Sequence, residues 1–440
     1  MKFTKNYFKN IDKHLKQIKE GGLIVCFKKL KTLFYLLIQS PLYLFSILVV
    51  IVIRLIKPWL LVRWYGLTSS RIGHLARDSE LYSCRLDAKI NQPSQKFIDI
   101  FFFNNKYVAN RQLEKMLRRS LTILPAFLLI PLHNTNRFFN LFIKGGNEHE
   151  IDINSDEERD IHNIAHKFKP HISFNEEEEL RGKKILDEFG IPEDAKFVCL
   201  IVRDSAYLDR YKNQTLRDFS YHNYRDGDIN KYLLAAEELA NRGYYVLRMG
   251  AKVHKPLKSS NLKIIDYANS KMRSDFMDIY LGANCTFCIS TSCGFDAIPY
   301  VFKKPIAFIY MPIGYMEVEN EKNLLLTKHH LNKINKSTLT LSEIFSSNVA
   351  FSLYSEEYKN NDIELQENTP EEIKNLVIEM EDRISGKWKE SQEDLTLQNK
   401  FWSIFEKNIK KSNLQDSIFN LEKKAKFSAN FLRDNKDWIQ

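Results

Sequence analysis

Residues 196–205 read KFVCLIVRDS, six consecutive apolar residues from Phe197 to Val202 and then a charged stop. An apolar run without polar alternation fits a strand covered on both faces, as in the middle of a parallel sheet. The same punctuation repeats outward from it. Asn230 to Arg242 has helical spacing and closes at Gly243, and YYVLRMG (Tyr244–Gly250) is the next strand. LKII (Leu262–Ile265) is a third, ending at Asp266-Tyr267; Ser274 to Leu281 is helical, and CTFCIS (Cys285–Ser290) is a fourth strand. Thr291-Ser292-Cys293-Gly294 leads into another helix, and KPIAFIY (Lys304–Tyr310) is a fifth strand. Short buried strands alternating with helices define a doubly wound α/β domain.

Upstream, Glu176 to Phe189 is an amphipathic helix stopped by Gly190-Ile191-Pro192. Before it, residues 144–175 are polar, broken by Gly145-Gly146 and the acidic run Asp152–Asp160, which places an interdomain connection there. Further back the order is again strand, helix, strand, helix: Trp59–Tyr65, a helix to about Leu86, KFIDIFFF (Lys96–Phe103), Val108–Ser120, then LTILPAFLLIPL. Downstream of Ala350 the chain is polar and mostly helical. Thr369-Pro370-Glu371-Glu372 places an N-cap Thr, Pro at the first helical position and Glu at the third. Four segments result: 1–58, 59–175, 176–345 and 346–440.

The chain has 440 residues, 44% hydrophobic and 27% charged, enough for two domains and unlike a fibrous or disordered protein. Its net charge of +10 lies wholly in residues 1–64, where twelve Lys/Arg face only Asp12 and Glu20. The remainder is neutral, which removes the main support for a nucleic-acid-binding domain. Six scattered cysteines, four of them in or beside apolar runs, fit reduced thiols in a cytoplasmic compartment. Cys285-x-x-Cys288 lacks the second pair that a zinc site needs.

Thr32 to Ile53 is free of charge and long enough to span a bilayer as a helix. Lys28, Lys29 and Lys31 flank one end and Arg54, Lys57 and Arg63 the other, while Ser40-Pro41 breaks the middle. A re-entrant hairpin suits both positive flanks and the break; a single span and a buried core helix are the alternatives. Lys2 to Lys31 then face anionic headgroups.

In open parallel sheets, ligands bind outside the carboxyl ends of the strands. Those ends read Arg203-Asp204-Ser205, Arg248-Met249-Gly250, Asp266-Tyr267 and Ser290-Thr291-Ser292-Cys293-Gly294. Two arginines, aspartates and a turn of small hydroxyl residues and Gly make a phosphate-binding crevice, with backbone N–H groups at the start of the following helix aimed at the anion. Arg71-Ile72-Gly73-His74 follows the first strand of the 59–175 segment: Gly73 permits close approach of a substrate, and histidine is the side chain most often used as a general base. Asp226-Gly227-Asp228 has the Asp-x-Asp spacing of a metal-bound nucleotide site but precedes a helix, so Asp228 reads as its N-cap. The P-loop, HExxH and GxSxG patterns are absent from the sequence.

SSRIGHLA, FNEEEELRGKKILDEFGI, FVCLIVRDSAYL, YHNYRDGDI, GYYVLRMG, IIDYANSKMRSDFMDIYL and FCISTSCGFDAIPYVFKKPI resemble a family of bacterial surface-glycan glycosyltransferases, from about Ser69 to Lys328, with a fainter echo in FLRDNKDWI. The resemblance implies a GT-B-like architecture, two Rossmann-like domains facing a cleft, with donor on 176–345 and acceptor on 59–175. The expected function is transfer of a sugar from a nucleotide-activated donor to a surface glycan or lipid-linked acceptor at the cytoplasmic face of the inner membrane. Arg203, Arg248, Gly250 and Ser290, Thr291, Ser292 and Gly294 would hold the donor diphosphate, and Asp266 or Asp275 the nucleoside or sugar. His74 and Asp204 are the candidate catalytic groups, with Arg71 and Gly73 on the acceptor side. Neither a tightly bound cofactor nor a metal is expected; the nucleotide-sugar is a co-substrate. A membrane-tethered scaffold, or a phosphoryl or pyruvyl transferase on the same fold, is the alternative.

Overall fold

The structure, a computed structural model, describes residues 19, 22, 25–27, 29–31, 40–153, 159–209, 218–347, 349–409 and 424–440. Most of the basic residues before 31, and 32–39 of the apolar segment, lie outside the described residues. In chain order, α1 spans residues 40–56, β1 Leu61–Leu67, α2 Ile72–Asp87, β2 Phe97–Phe103, α3 Arg111–Ser120, α4 Ala126–Asn140 and α5 Glu176–Glu188. There follow β3 Phe197–Ile201, α6 Leu233–Asn241, β4 Tyr245–Arg248, β5 Ile264–Ile265, α7 Asp275–Asn284, β6 Phe287–Ser290, α8 Ala297–Val301, β7 Ile306–Ile309 and β8 Leu324–Leu326. The chain ends with β9 His329–Asn332, β10 Ile363–Gln366, α9 Pro370–Ile384, α10 Gln392–Ile409, β11 Lys426–Phe427 and α11 Ala429–Asp434.

Two compact units form. The larger holds Leu67–Gln92, Phe103–Leu121 and the described residues from Asp152 onward. Its sheet has seven parallel strands in the order β11-β8-β7-β6-β3-β4-β5. All five residues of β3 are buried, and since neighbouring residues point to opposite faces, both faces of the sheet are covered there. α6 packs beside α9, and α8 beside both α2 and α7. The start of α9 is the capping box that its sequence announces, Thr369 accepting from the Glu372 N–H and Glu372 from the Thr369 N–H. The final segment packs through Phe431 and Trp438, both buried, against Phe427.

The smaller unit holds Pro93–Phe102, Thr122–Ile151 and the described residues up to Gly66. Its core is Val50, Trp64, Phe102, Leu129 and Leu132, and the Arg63 guanidinium clasps Asp99 with bonds of 2.7 and 2.6 Å across β1 and β2. A second full Rossmann-like sheet is not found among the described residues: β1 and β2 form a two-stranded sheet, extended by single parallel bridges at Ile123 and Glu150. After Ile123 the chain meets Pro125 and then Pro131 within α4. Proline supplies no backbone donor, so the apolar stretch 121–132 cannot continue as an inner strand. The 59–175 segment of the sequence reading is shared between the two units.

Among the described residues, no helix is long and apolar enough to cross a membrane. Pro41, expected to interrupt a helix, lies within the described part of α1, next to residues 32–39, which are outside the described residues.

Candidate active site

The order of strands around β3 builds the site. From β3 the chain moves to β4 and β5 on one side, then returns to place β6 and β7 on the other. The two connections leave in opposite directions from neighbouring strands, so a crevice opens at the carboxyl ends of β3 and β6. The ends are tied together: Thr291 Oγ1 accepts from the Arg203 N–H at 2.8 Å, and the Thr291 N–H donates to the Ile201 carbonyl at 3.3 Å. A cavity of ≈ 410 Å³ lies there, lined by Arg71, Gly73, His74, Arg203, Asp204, Gly250, Ser292 and Gly294 among the residues singled out from sequence.

Arg71 and His74 reach this cavity because the first turn of α2 lies on the turn after β6. A Cβ on Gly73 would stand 3.0 Å from Gly294 Cα and 3.3 Å from its carbonyl oxygen. Two glycines thus meet backbone to backbone. Arg71 then lies 5.6 Å above the Phe219 ring, with its Nη1 3.5 Å from His74 Nε2.

Arg203 is the most constrained cation of the site. It contacts Asp226 through Nη1, while its buried Nη2 meets no acceptor among the described residues. Burial, and then the charge of Arg225, pull its guanidinium down to about 10. Asp204 is held by two backbone donors, Ala206 N–H at 3.0 Å and His254 N–H at 2.9 Å. Ser292 takes a left-handed conformation (φ 50°), costly for a residue with a Cβ. Its hydroxyl donates to the Met311 carbonyl at 3.2 Å, and its own carbonyl accepts from Arg225 Nη1 at 3.2 Å.

Five of the singled-out residues do not line the cavity. Arg248, almost fully buried, sits 3.4 Å from Asp266 Oδ1 and 3.9 Å from Asp204 Oδ2, where burial lowers its pKa. Asp266 braces its own loop, accepting from the Leu257 N–H and from Asn269 Nδ2. Asp275 opens α7 and accepts from the Arg111 N–H at 2.9 Å. Thr291 and Ser290 join parts of the framework, Ser290 Oγ donating to Asp296 Oδ2 at 2.9 Å. The helix expected to aim free N–H groups at an anion is also different. Gly294–Asp296 is a 3₁₀ turn, α8 after it has five residues, and the Cys293 N–H already donates to Asp296 Oδ2 at 2.8 Å. The positive groups beside the cavity are therefore guanidinium groups and Lys252, not a helix end. Asp228 caps the turn at Ile229, as its position before a helix implies.

Other cavity residues escaped the sequence reading: Arg77, Arg159, Arg225, Lys252, Asp296, Glu317 and Glu319. Burial, and then Glu317, push the Asp296 carboxyl up to about 7, and the same two causes push Glu319 up to about 7. Arg77 forms an ion pair with Glu317, and Arg159 lies 4.0 Å above the Tyr315 ring. Asp296 did carry one local mark, its place three residues after Cys293, the spacing of a capping box. The arginines carry none.

Outside the cavity, Glu80, Cys84 and His171 come close enough to share a metal ion. Lys303 already pairs with Glu80, and His171 bridges Glu80 and Asp87 at 3.2 and 3.0 Å. Hydrogen bonds with Cys84 and Glu80 push the imidazole up to about 10, so the cluster is built as an ion-pair network around a protonated histidine.

The fold and the site define an α/β protein with a crevice lined by arginines and carboxylates at the switch point of a parallel sheet. No family model and no curated protein matches the chain. Among solved structures it is similar to a family 9 glycosyl transferase from Veillonella parvula, at 10% identity and a TM-score of 0.39, over 73% of this chain and 97% of that one. It is also similar to the ADP-heptose LPS heptosyltransferase II of E. coli, at 11% identity and a TM-score of 0.37, over 73% of this chain and 99% of that one. Likenesses of this size leave activity and substrate to the side chains.

Proposed function

We propose that the chain is a glycosyltransferase that takes a nucleotide-activated sugar in the β3–β6 crevice and passes the sugar to a surface glycan or lipid-linked acceptor at the cytoplasmic face of the inner membrane. One observation carries the reading: the buried Arg203 guanidinium, just after β3, keeps a donor without an acceptor among the described residues beside a cavity. A diphosphate supplies acceptor oxygens, and its departure needs cationic charge at that point. Arg225 and Lys252 line the same cavity and add positive charge. Asp204, His74 and Asp296 are the groups placed to manage a proton there.

The test is thermal unfolding of the full chain with UDP, GDP, CMP, ADP and dTDP, alongside Arg203→Ala. At a hundredfold excess over Kd, a bound nucleotide stabilises by about 2.7 kcal/mol. Stabilisation by one nucleotide, lost in Arg203→Ala, supports the donor site. A wild type indifferent to all five overturns it and favours the scaffold reading.

A further inference from the structure

α1 is apolar on two opposite sides. Val50, with Val49 and Ile53, packs into the core of the smaller unit against Trp64, Phe102, Leu129 and Leu132. The other side carries Leu44, Phe45, Leu48, Ile51, Val52 and Leu55, spaced as one helical stripe and each 43–67% exposed. Trp59 follows, 75% exposed.

The stripe continues onto α4. Arg54 Nη1 donates to the Ile143 carbonyl at 3.0 Å and Nη2 to the Asn136 carbonyl at 2.9 Å, while Asn134 Nδ2 donates to the Tyr43 hydroxyl at 3.0 Å. These bonds set the two helices side by side, and Phe138 on α4 with Phe142 and Ile143 in the turn after it add further apolar side chains, all exposed. Soluble surfaces scatter such residues singly.

The charge beside the stripe says what covers it. Lys57, which also pairs with Glu148, and Lys144 flank it in sequence, and residues 1–64 carry twelve cations against two acids. An apolar stripe with a tryptophan at its end and lysines around it matches an anionic phospholipid surface: acyl chains meet the stripe, headgroups the lysines. Among the described residues, α1 is too short to cross the bilayer. Residues 40–56 extend about 26 Å, short of a hydrocarbon core of about 30 Å, and one side of the helix is committed to the protein core.

We infer that the smaller unit docks on an anionic membrane surface through the α1 stripe and the apolar residues Phe138 to Ile143 at and after the end of α4, with α1 lying in the membrane plane. The inference rests on the proposed function only in supposing a membrane-borne acceptor, and its test makes no use of the donor site.

The full chain is floated with vesicles of phosphatidylglycerol and phosphatidylcholine, as wild type, as Leu48→Asp with Phe142→Asp, and as Leu262→Asp. Leu262, 92% exposed in the larger unit, is the control. Wild type and control should float, and the double variant should lose about tenfold or more, the order expected when two large apolar side chains no longer leave water. As a second readout, a polarity-sensitive dye on Leu48→Cys should shift to the blue with vesicles, whereas the dye on Leu262→Cys should not. Flotation of the double variant equal to wild type, with no dye shift, overturns the inference and points to cover by this chain's own residues 32–39. A wild type that stays unbound and elutes as a dimer overturns it in favour of a second copy. Nucleotide stabilisation in the double variant separates failure here from failure of the donor site.

Discussion

Asp296 shows what a side chain becomes when the fold, and not its neighbours in sequence, sets its surroundings. It accepts from Ser290 Oγ and the Cys293 N–H, and burial with Glu317 nearby lifts its carboxyl from an ordinary 3.8 to about 7. Between those values the folded chain keeps a proton that the unfolded chain has given up. Its contribution to stability is therefore complete below about pH 3.8 and is lost as pH rises through about 7. Asp296→Asn keeps the two accepting bonds and removes the titration. Its melting temperature should fall less steeply than that of wild type from pH 4 upward, in unfolding scans up to about pH 8. Glu319, raised to about 7 by burial and Glu317, keeps part of the slope in both proteins. Parallel wild-type and variant curves would show that Asp296 ionises at its ordinary value.

Where two elements meet, the deciding feature is the Gly73–Gly294 contact, which holds α2 on the turn after β6 and so brings Arg71 and His74 beside Arg203. Gly73→Ala inserts a methyl 3.0 Å from a backbone carbon that no rotamer change can move aside. Its expected cost is about 1–3 kcal/mol in denaturant unfolding, the usual scale of overpacking. Nucleotide stabilisation should weaken with it if the cavity depends on this seam; wild-type stability in the variant would mean that α2 rides up without consequence. Elements of this kind differ in how far the sequence discloses them. β3, β4 and β6 are legible because a buried parallel strand is apolar at every position, and Arg203, Asp204 and Ser292 follow as the residues where those runs stop. Thr369 and Glu372 are legible because a capping box is local. The short helix after Gly294 is not, since its length is set by packing against α2 and α7. Nor are Arg159, which reaches the cavity from a loop, and Arg225, at the end of the 3₁₀ turn Ser220–Arg225. The two-stranded sheet of the smaller unit was masked by an apolar run whose prolines, at 125 and 131, divert it into α4.

At the scale of the whole chain, charge and apolar exposure fall on the same stretch of sequence. Residues 65–440 are neutral and residues 1–64 carry +10, the same stretch that contributes α1 and its exposed stripe. Two forces of different range then act on a membrane. Attraction of lysines to anionic headgroups, about 1 kcal/mol per residue near the surface, is screened over about 10 Å at 0.1 M salt and about 3 Å at 1 M. Burial of apolar side chains is not screened. Raising salt from about 0.1 to about 1 M should therefore weaken flotation of the wild type in part, leaving the share that the stripe supplies. The Leu48→Asp, Phe142→Asp chain keeps all twelve cations but lacks much of the stripe, so the same salt step should release what binding it retains. Phosphatidylcholine vesicles without phosphatidylglycerol should reproduce the high-salt behaviour at low salt. Wild-type flotation that ignores both salt and headgroup charge would remove the cations of residues 1–64 from the membrane contact and leave the apolar face to act alone.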